Sequence, residues 1–212
     1  MKHITRIALY LAGLFLLAVG VVLAIKSDLG VSPVSSIPLA VSNITGLGLG
    51  TVTTMVFSFY VLMQIGVLRQ DFKLKNLLQI FFGAIFGTFV GVAEMILAGI
   101  MPGNYMIQMI LILLSVCVVA LGVVLLITMD IVPGAPEGLM LAICEKTGVP
   151  FPKMKVWFDS GSVVLAAVLS LVFLRNISSI REGTIISALL IGKVAGILAK
   201  PCEPWLKKVS FY

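Results

Sequence analysis

Six long apolar stretches, at residues 7–25, 52–68, 77–100, 106–129, 156–174 and 183–199, limit what this chain can fold into more than anything else in it. A helix needs about 20 mostly apolar residues to cross the hydrocarbon of a bilayer, and each stretch meets that requirement. Hydrocarbon offers no partner to a free peptide group, so segments of this kind must be helical. The chain has 60% hydrophobic residues, only 11% charged residues and a mean hydropathy of +1.17. Soluble domains carry roughly 25% charged residues, and a water-soluble fold of this length could not hide so much apolar surface. The expected fold class is an all-α membrane protein with about six transmembrane helices, short connections and no soluble appendage. The first stretch is long, lacks a small-residue cleavage pattern and is followed by further spans. It reads as a retained helix rather than a secretory leader.

Shifted by 102 residues, the chain matches itself. Ala18-Val19-Gly20-Val21-Val22-Leu23 lies on Ala120-Leu121-Gly122-Val123-Val124-Leu125, and Asp28, Leu39, Ala40, Thr45 and Gly46 lie on Asp130, Leu141, Ala142, Thr147 and Gly148. Eleven of the 29 positions from 18 to 46 are identical, against roughly two or three expected from membrane-type composition. A second register, shifted by 109, places Gly83-x-x-x-Gly87 on Gly192-x-x-x-Gly196. Small residues at that spacing let helices approach closely, which predicts similar packing for the last helix of each half.

The domain reading follows. A first repeat, 1–100, holds helices at about 7–25, 52–68 and 77–100 and a short segment at 33–46. A second, 101–212, holds helices at about 106–129, 156–174 and 183–199 and a short segment at 133–148. Three crossings is an odd number, so the second half enters from the opposite side, and the architecture is a 3+3 inverted repeat. Charge agrees with this. Lys2, Arg6, Arg69, Lys73, Lys75, Lys146, Lys153, Lys155, Lys200, Lys207 and Lys208 fall on one side, and Lys26, Arg175 and Arg181 on the other. The positive-inside rule then puts both termini in the cytoplasm. Because the basic residues are spread over span ends, the net charge of +6 reports orientation and not nucleic-acid binding.

The two short segments are broken by glycine and proline yet contain helix-like stretches of about a dozen residues, at 35–44 and 137–146, the length of a re-entrant or interfacial helix. Proline before and glycine after suit helix start and stop. Broken elements of this kind either lie at the surface as loops or mark substrate sites in inverted-repeat transporters. Candidate substrate contacts are Ser32, Ser35 and Ser36 in the first segment and Glu137 and Gly138 in the second. Asp28 and Asp130 end the first helix of each half, where an aspartate either caps the following turn or binds a ligand. Glu137 lies where a helix dipole favours a carboxylate, with Ser35 as its counterpart.

Inside the long helices stand Glu94, Asp159 and, near the middle of the last span, Lys193. A charge at the centre of a bilayer costs about 2.5–3.5 kcal/mol or more, so each is expected to face the protein interior or water. Lys193 is a candidate for an anion or carboxylate site. Alternatively, it pairs structurally with Asp159 or Glu137, or snorkels on its long stem. Glu94 and Asp159 are candidates for a coupling or polar network.

Asp28-Leu29-Gly30-x-x-Pro33, Gly48-Leu49-Gly50-Thr51, Glu137-Gly138-Leu139-Met140 and Gly183-Thr184, together with Gly192-x-x-x-Gly196, resemble the YczE/YyaS/YitT group of bacterial membrane proteins. The resemblance covers most of the chain and implies a small multi-pass protein of the bacterial plasma membrane, in the short form that lacks the soluble C-terminal domain of the YitT branch. The chain departs from that pattern at Ser35, where an acid is common, and at Val132 and Ala135, where Gly and Pro are common.

Nothing in the sequence points to an enzyme or to a cofactor. His3 is the sole histidine, no serine or cysteine has a nearby base, and no metal-ligand spacing or phosphate loop is present. Cys117, Cys144 and Cys202 are scattered, without CxxC spacing. The expected function is transport of a small polar or amphipathic solute by alternating access, with the site between the two repeats. The alternatives are a substrate-binding subunit of a vitamin transporter and a non-transport membrane scaffold or assembly factor. The expected partners are the lipid bilayer and a small-molecule solute, with a homodimer left open.

Overall fold

The computed structural model describes residues 2–176 and 181–210. Among these, every regular element is helical: α1 (Lys2–Lys26), α2 (Pro33–Thr45), α3 (Leu49–Leu68), α4 (Leu78–Ile96), α5 (Tyr105–Met129), α6 (Ala135–Thr147), α7 (Phe151–Leu174) and α8 (Glu182–Ser210). Two 3-10 turns, Arg69–Asp71 and Leu74–Leu77, join α3 to α4. Six helices, α1, α3, α4, α5, α7 and α8, are long and apolar enough to cross a membrane, which makes this a multi-pass membrane protein. The other two, α2 and α6, have 13 residues each. At 1.5 Å per residue they fall well short of the roughly 30 Å of hydrocarbon.

Several helices run beyond their apolar stretches, because a charged side chain ends an apolar run without ending the backbone ladder. α1 starts at Lys2 and not at 7, and α8 continues past 199, through Pro201 and Pro204, to Ser210. α7 starts at Phe151, with Pro152 in its first turn, where a missing N–H costs nothing. The side chains of Lys2 and Lys207, which enter the charge count, lie outside the described residues.

Contacts group the chain into two compact units. One contains α1, α5, α8 and the part of α4 from Phe89 on; the other contains α2, α3, α6, α7 and the part of α4 up to Thr88. Each unit draws helices from both halves of the sequence.

In the first unit α1 lies antiparallel along α5, and glycine brings the two backbones together. A Cβ at Gly20 would collide with Val119 and stand 3.3 Å from Ser115 O, while one at Gly122 would stand 2.9 Å from Leu17 N and 2.8 Å from Gly13 O. The 102-residue shift carries Gly20 onto Gly122 and both of its partners, Val119 and Ser115, onto positions 17 and 13. The two contacts are therefore equivalent. Ser115 Oγ donates to Gly20 O at 2.7 Å. Arg6 closes one end of the pair: Nε donates to Met129 O at 2.6 Å and Nη2 to Asp130 O at 2.7 Å, partnering carbonyls that the end of α5 leaves free. At the end of α1, Arg181 Nη1 donates to Asp28 O at 2.8 Å and Gly183 N–H to Leu29 O at 2.7 Å.

In the second unit α2 packs on α7 and α3 on α6. The short helices end alike: the N–H groups of Gly46 and Gly148, both at φ 71°, donate to Ser42 O and Cys144 O at 2.9 Å. The hydroxyls of Thr45 and Thr147 donate to Val41 O and Ile143 O at 2.8 Å. The expectation that the last helices of the two halves pack alike is corrected. Gly87 sits against Thr54 and Gly50 O of α3, with Gly83 beside Phe57, whereas among the described residues nothing comes within 4 Å of a Cβ at Gly192 or Gly196. Small-residue spacing permits a close approach but supplies no partner.

Replacing Gly20 or Gly122 by leucine should destabilise the detergent-purified protein by about 1–3 kcal/mol, the usual cost of overpacking. Gly192→Leu should leave it unchanged, and thermal unfolding of the three variants measures the difference.

Candidate functional site

The most polar buried feature of the second unit is built from two glutamines. Gln64 lies in α3 between Met63 and Ile65, and Gln79 near the start of α4; they are 0% and 2% exposed. A buried amide without partners is costly, and these two answer each other. Gln64 Nε2 donates to Gln79 Oε1 at 2.8 Å, and Gln79 Nε2 donates back to Gln64 Oε1 at 3.2 Å. The second N–H of Gln64 donates to Ala135 O, at the start of α6, at 3.3 Å.

Gly138 makes this possible. A Cβ there would stand 2.6 and 2.7 Å from the two polar atoms of the Gln79 amide and 2.9 Å from Gln64 Oε1. Only a residue without a side chain lets α6 lie directly on the amide pair. The position shifted back by 102 is Ser36, also fully buried, whose hydroxyl donates to Pro33 O at 2.6 Å and to Ser162 O of α7 at 3.3 Å.

Beside the pair is a cavity of about 140 Å³, whose lining includes Gln79, Gly138, Asp71, Lys73, Asn76 and Glu145. Lys146 Nζ forms an ion pair with Asp71 Oδ2, tying the end of α6 to the 3-10 turn after α3. Both groups are exposed, so water and salt screen the pair and it contributes little to stability. One turn before Gln64, on the same face of α3, Tyr60 packs on Ala135 and Leu139. Its ring is edge-on to Phe158 at 5.6 Å, and its buried hydroxyl has no hydrogen-bond partner among the described residues.

The residues singled out in the sequence fall in both units. In the first, Asp28 and Asp130 are exposed and left-handed (φ 55° and 45°) where α1 and α5 end. Asp28 is 3.7 Å from Arg181, and Asp130 closes α5 through its N–H to Leu126 O. Ser32 and Glu94 are half-buried, and Lys193 is exposed on α8. In the second unit, Ser35 is half-buried. Glu137 is in the first turn of α6 with its carboxylate folded back over Gly134. Asp159 accepts from Lys155 Nζ at 2.8 Å, one helical turn away. Of the ten, Gly138 alone lines the cavity.

Gln64 and Gln79 escaped the sequence reading, which looked for charge. A signal was present: both amides sit in otherwise apolar spans, within about a turn and a half of the connection at 69–77, so a helical hairpin can bring them together.

The model of a family of unknown function, DUF6198, matches residues 4–200. The chain belongs to this family. No curated protein and no solved structure matches it. The family's description names no activity, so the chemistry of this DUF6198 chain rests on the amide pair and its cavity.

Gln64→Leu should cost about 1–3 kcal/mol by stranding the Gln79 amide in an apolar site. The double variant Gln64→Leu/Gln79→Leu should cost clearly less than the sum of the two single changes. A double-mutant cycle in thermal unfolding measures that coupling.

Proposed function

We propose that this protein is a membrane transporter for a small polar or amphipathic solute, which it binds at the Gln64–Gln79 amide pair and the adjoining cavity. The observation that carries the reading is the placement of that pair: two uncharged, fully buried amides, bridged to the start of a helix too short to cross the membrane, beside a cavity with a polar wall. Irregular elements at membrane depth are tolerated where they line a cavity or are buried in protein, and transporters use them for binding.

The architecture in this reading is a 3+3 inverted repeat with α2 and α6 re-entrant. The antiparallel course of α1 and α5, the equivalent glycine contacts at Gly20 and Gly122, and the identical endings of α2 and α6 support it. So does the exchange of partners, α2 with α7 and α3 with α6. Resemblance to the YczE/YyaS/YitT group and residence in a bacterial plasma membrane belong to the same reading. With both termini cytoplasmic, Arg6 meets the end of α5, and Lys146 meets Asp71, on the inner side, while Arg181 meets Asp28 on the outer side. The cavity then opens inward. Because helix contacts cross from each sequence half to the other, movement of α6 against α3 and α4 opens the site more readily than rocking of one half as a rigid body.

Purified protein in liposomes should take up members of a panel of small polar solutes, tested with and without a proton gradient, and Gly138→Val should abolish uptake by displacing the amide pair. No movement of any solute would overturn the reading. For sidedness, single cysteines placed in a cysteine-free background should react with an impermeant label from outside the cell at 97–104 and be protected next to the N-terminus.

A further inference from the structure

Lys193 stands in the membrane without a partner in the fold. It lies one residue from the middle of the α8 span, Glu182–Leu206, and is exposed, with no hydrogen bond or ion pair among the described residues. In hydrocarbon a lysine at that depth is costly unless it meets a carboxylate, a carbonyl or water. Snorkelling does not rescue it. Side chains of an α-helix lean towards its N-terminus, which directs Lys193 towards Glu182, eleven residues or about 16 Å away. The C-terminal limit of the apolar stretch, at Lys200, is seven residues or about 10 Å off. Neither is within reach of a four-carbon stem.

The face around Lys193 is bare. α8 packs on α5 through one side, where Ser187 and Ala195 are buried. The opposite side carries Ile185, Leu189, Gly192, Lys193, Gly196 and Ile197, all exposed and recurring at helical spacing along one stripe. Only 6% of this span is buried, against 17–44% of the other five. Gly192 and Gly196 lie on either side of the lysine along the helix, and among the described residues nothing comes within 4 Å of a Cβ at either. A second helix can therefore approach α8 closely enough for a side chain on it to reach Lys193 Nζ. The apolar residues of the stripe are at home in lipid. The lysine is not, and its charge specifies what covers the stripe.

We propose that this stripe is the docking surface for a membrane-spanning helix of a different protein, one that presents an aspartate or glutamate near its middle. The carboxylate accepts a charge-assisted hydrogen bond from Lys193 Nζ and takes the ammonium out of lipid. A second copy of this chain does not supply that group. Docking by the same face sets two lysines at one depth, whichever way the copy is inserted, because position 193 is central to its span. The acids within the other spans fit no better: Glu94 stands two residues from the end of α4, and Asp159 is bonded to Lys155 on its own helix.

The test uses the full-length protein in liposomes and three synthetic transmembrane peptides. Each peptide is a leucine and alanine helix with glycines beside a central position, which holds aspartate, leucine or lysine. Energy transfer between labelled protein and labelled peptide measures association. The aspartate peptide should bind roughly tenfold more tightly than the leucine peptide, the ratio for one interhelical hydrogen bond in lipid, and the lysine peptide should not bind. Lys193→Leu should remove the preference, and Lys193→Asp should reverse it in favour of the lysine peptide. Gly192→Leu, which leaves the fold unaltered, should weaken binding of the aspartate peptide. The comparison of peptides on the unaltered protein stands even if a variant fails to fold. Equal binding of the aspartate and leucine peptides, or no binding of either, overturns the proposal. Two further results would do the same. Reaction of Lys193→Cys, in a cysteine-free background, with a water-soluble thiol reagent shows that the face opens to water. Cross-linking of two copies through Gly196→Cys shows that a second copy covers it.

Discussion

Hydrocarbon cannot hydrogen-bond, and nearly every feature of this protein answers that constraint. Peptide groups are paired within helices, and where helices end the free carbonyls find partners: Arg6 at the end of α5, Arg181 and the Gly183 N–H at the end of α1. Polar side chains within the spans follow the same rule. Ser115 bonds to Gly20 O and Thr128 to Val124 O, and the two glutamines bond to each other. Apolar side chains gain little by leaving lipid for protein, so close packing must supply association instead. That explains why glycine, the residue that lets backbones meet, sits at the α1–α5 contact and again where α6 rests on the amide pair.

The short helices follow from the same constraint. α6 begins at Ala135, whose carbonyl receives Gln64, and ends in the left-handed Gly148; between them Gly138 presents bare backbone to both glutamines. A longer or bulkier segment would push α6 off α3 and strand two amides. The cavity is thus held open by local rules: a glycine that cannot fill it, glutamines already paired, and an exposed ion pair, Lys146–Asp71, at its edge.

The number of spans, their approximate limits, the two 13-residue helices and the glycine endings at 46 and 148 were all legible in the sequence, because each depends on neighbours within a few positions. The matched contacts of Gly20 and Gly122 were foreshadowed by the 102-residue repeat, although a repeat does not say which surfaces meet. The candidate site was much less legible. Reading for charge led to Lys193, which is exposed, and to Asp159, whose partner is Lys155 on its own helix, and passed over two neutral amides.

Local chemistry therefore determined that this chain is helical, that it crosses the membrane, and where its helices start and stop, since apolar length, proline and glycine act through the backbone at short range. Tertiary structure alone decided which small residues became contacts: Gly87 lies against α3 while Gly196, at the same spacing, meets nothing among the described residues. It also decided that Gln64, Gln79, Ala135 and Gly138 would form one cluster. The physical reason is that a hydrogen bond or a close backbone approach depends on positions tens of residues apart, and the one-dimensional pattern of polarity carries no record of which faces are brought together.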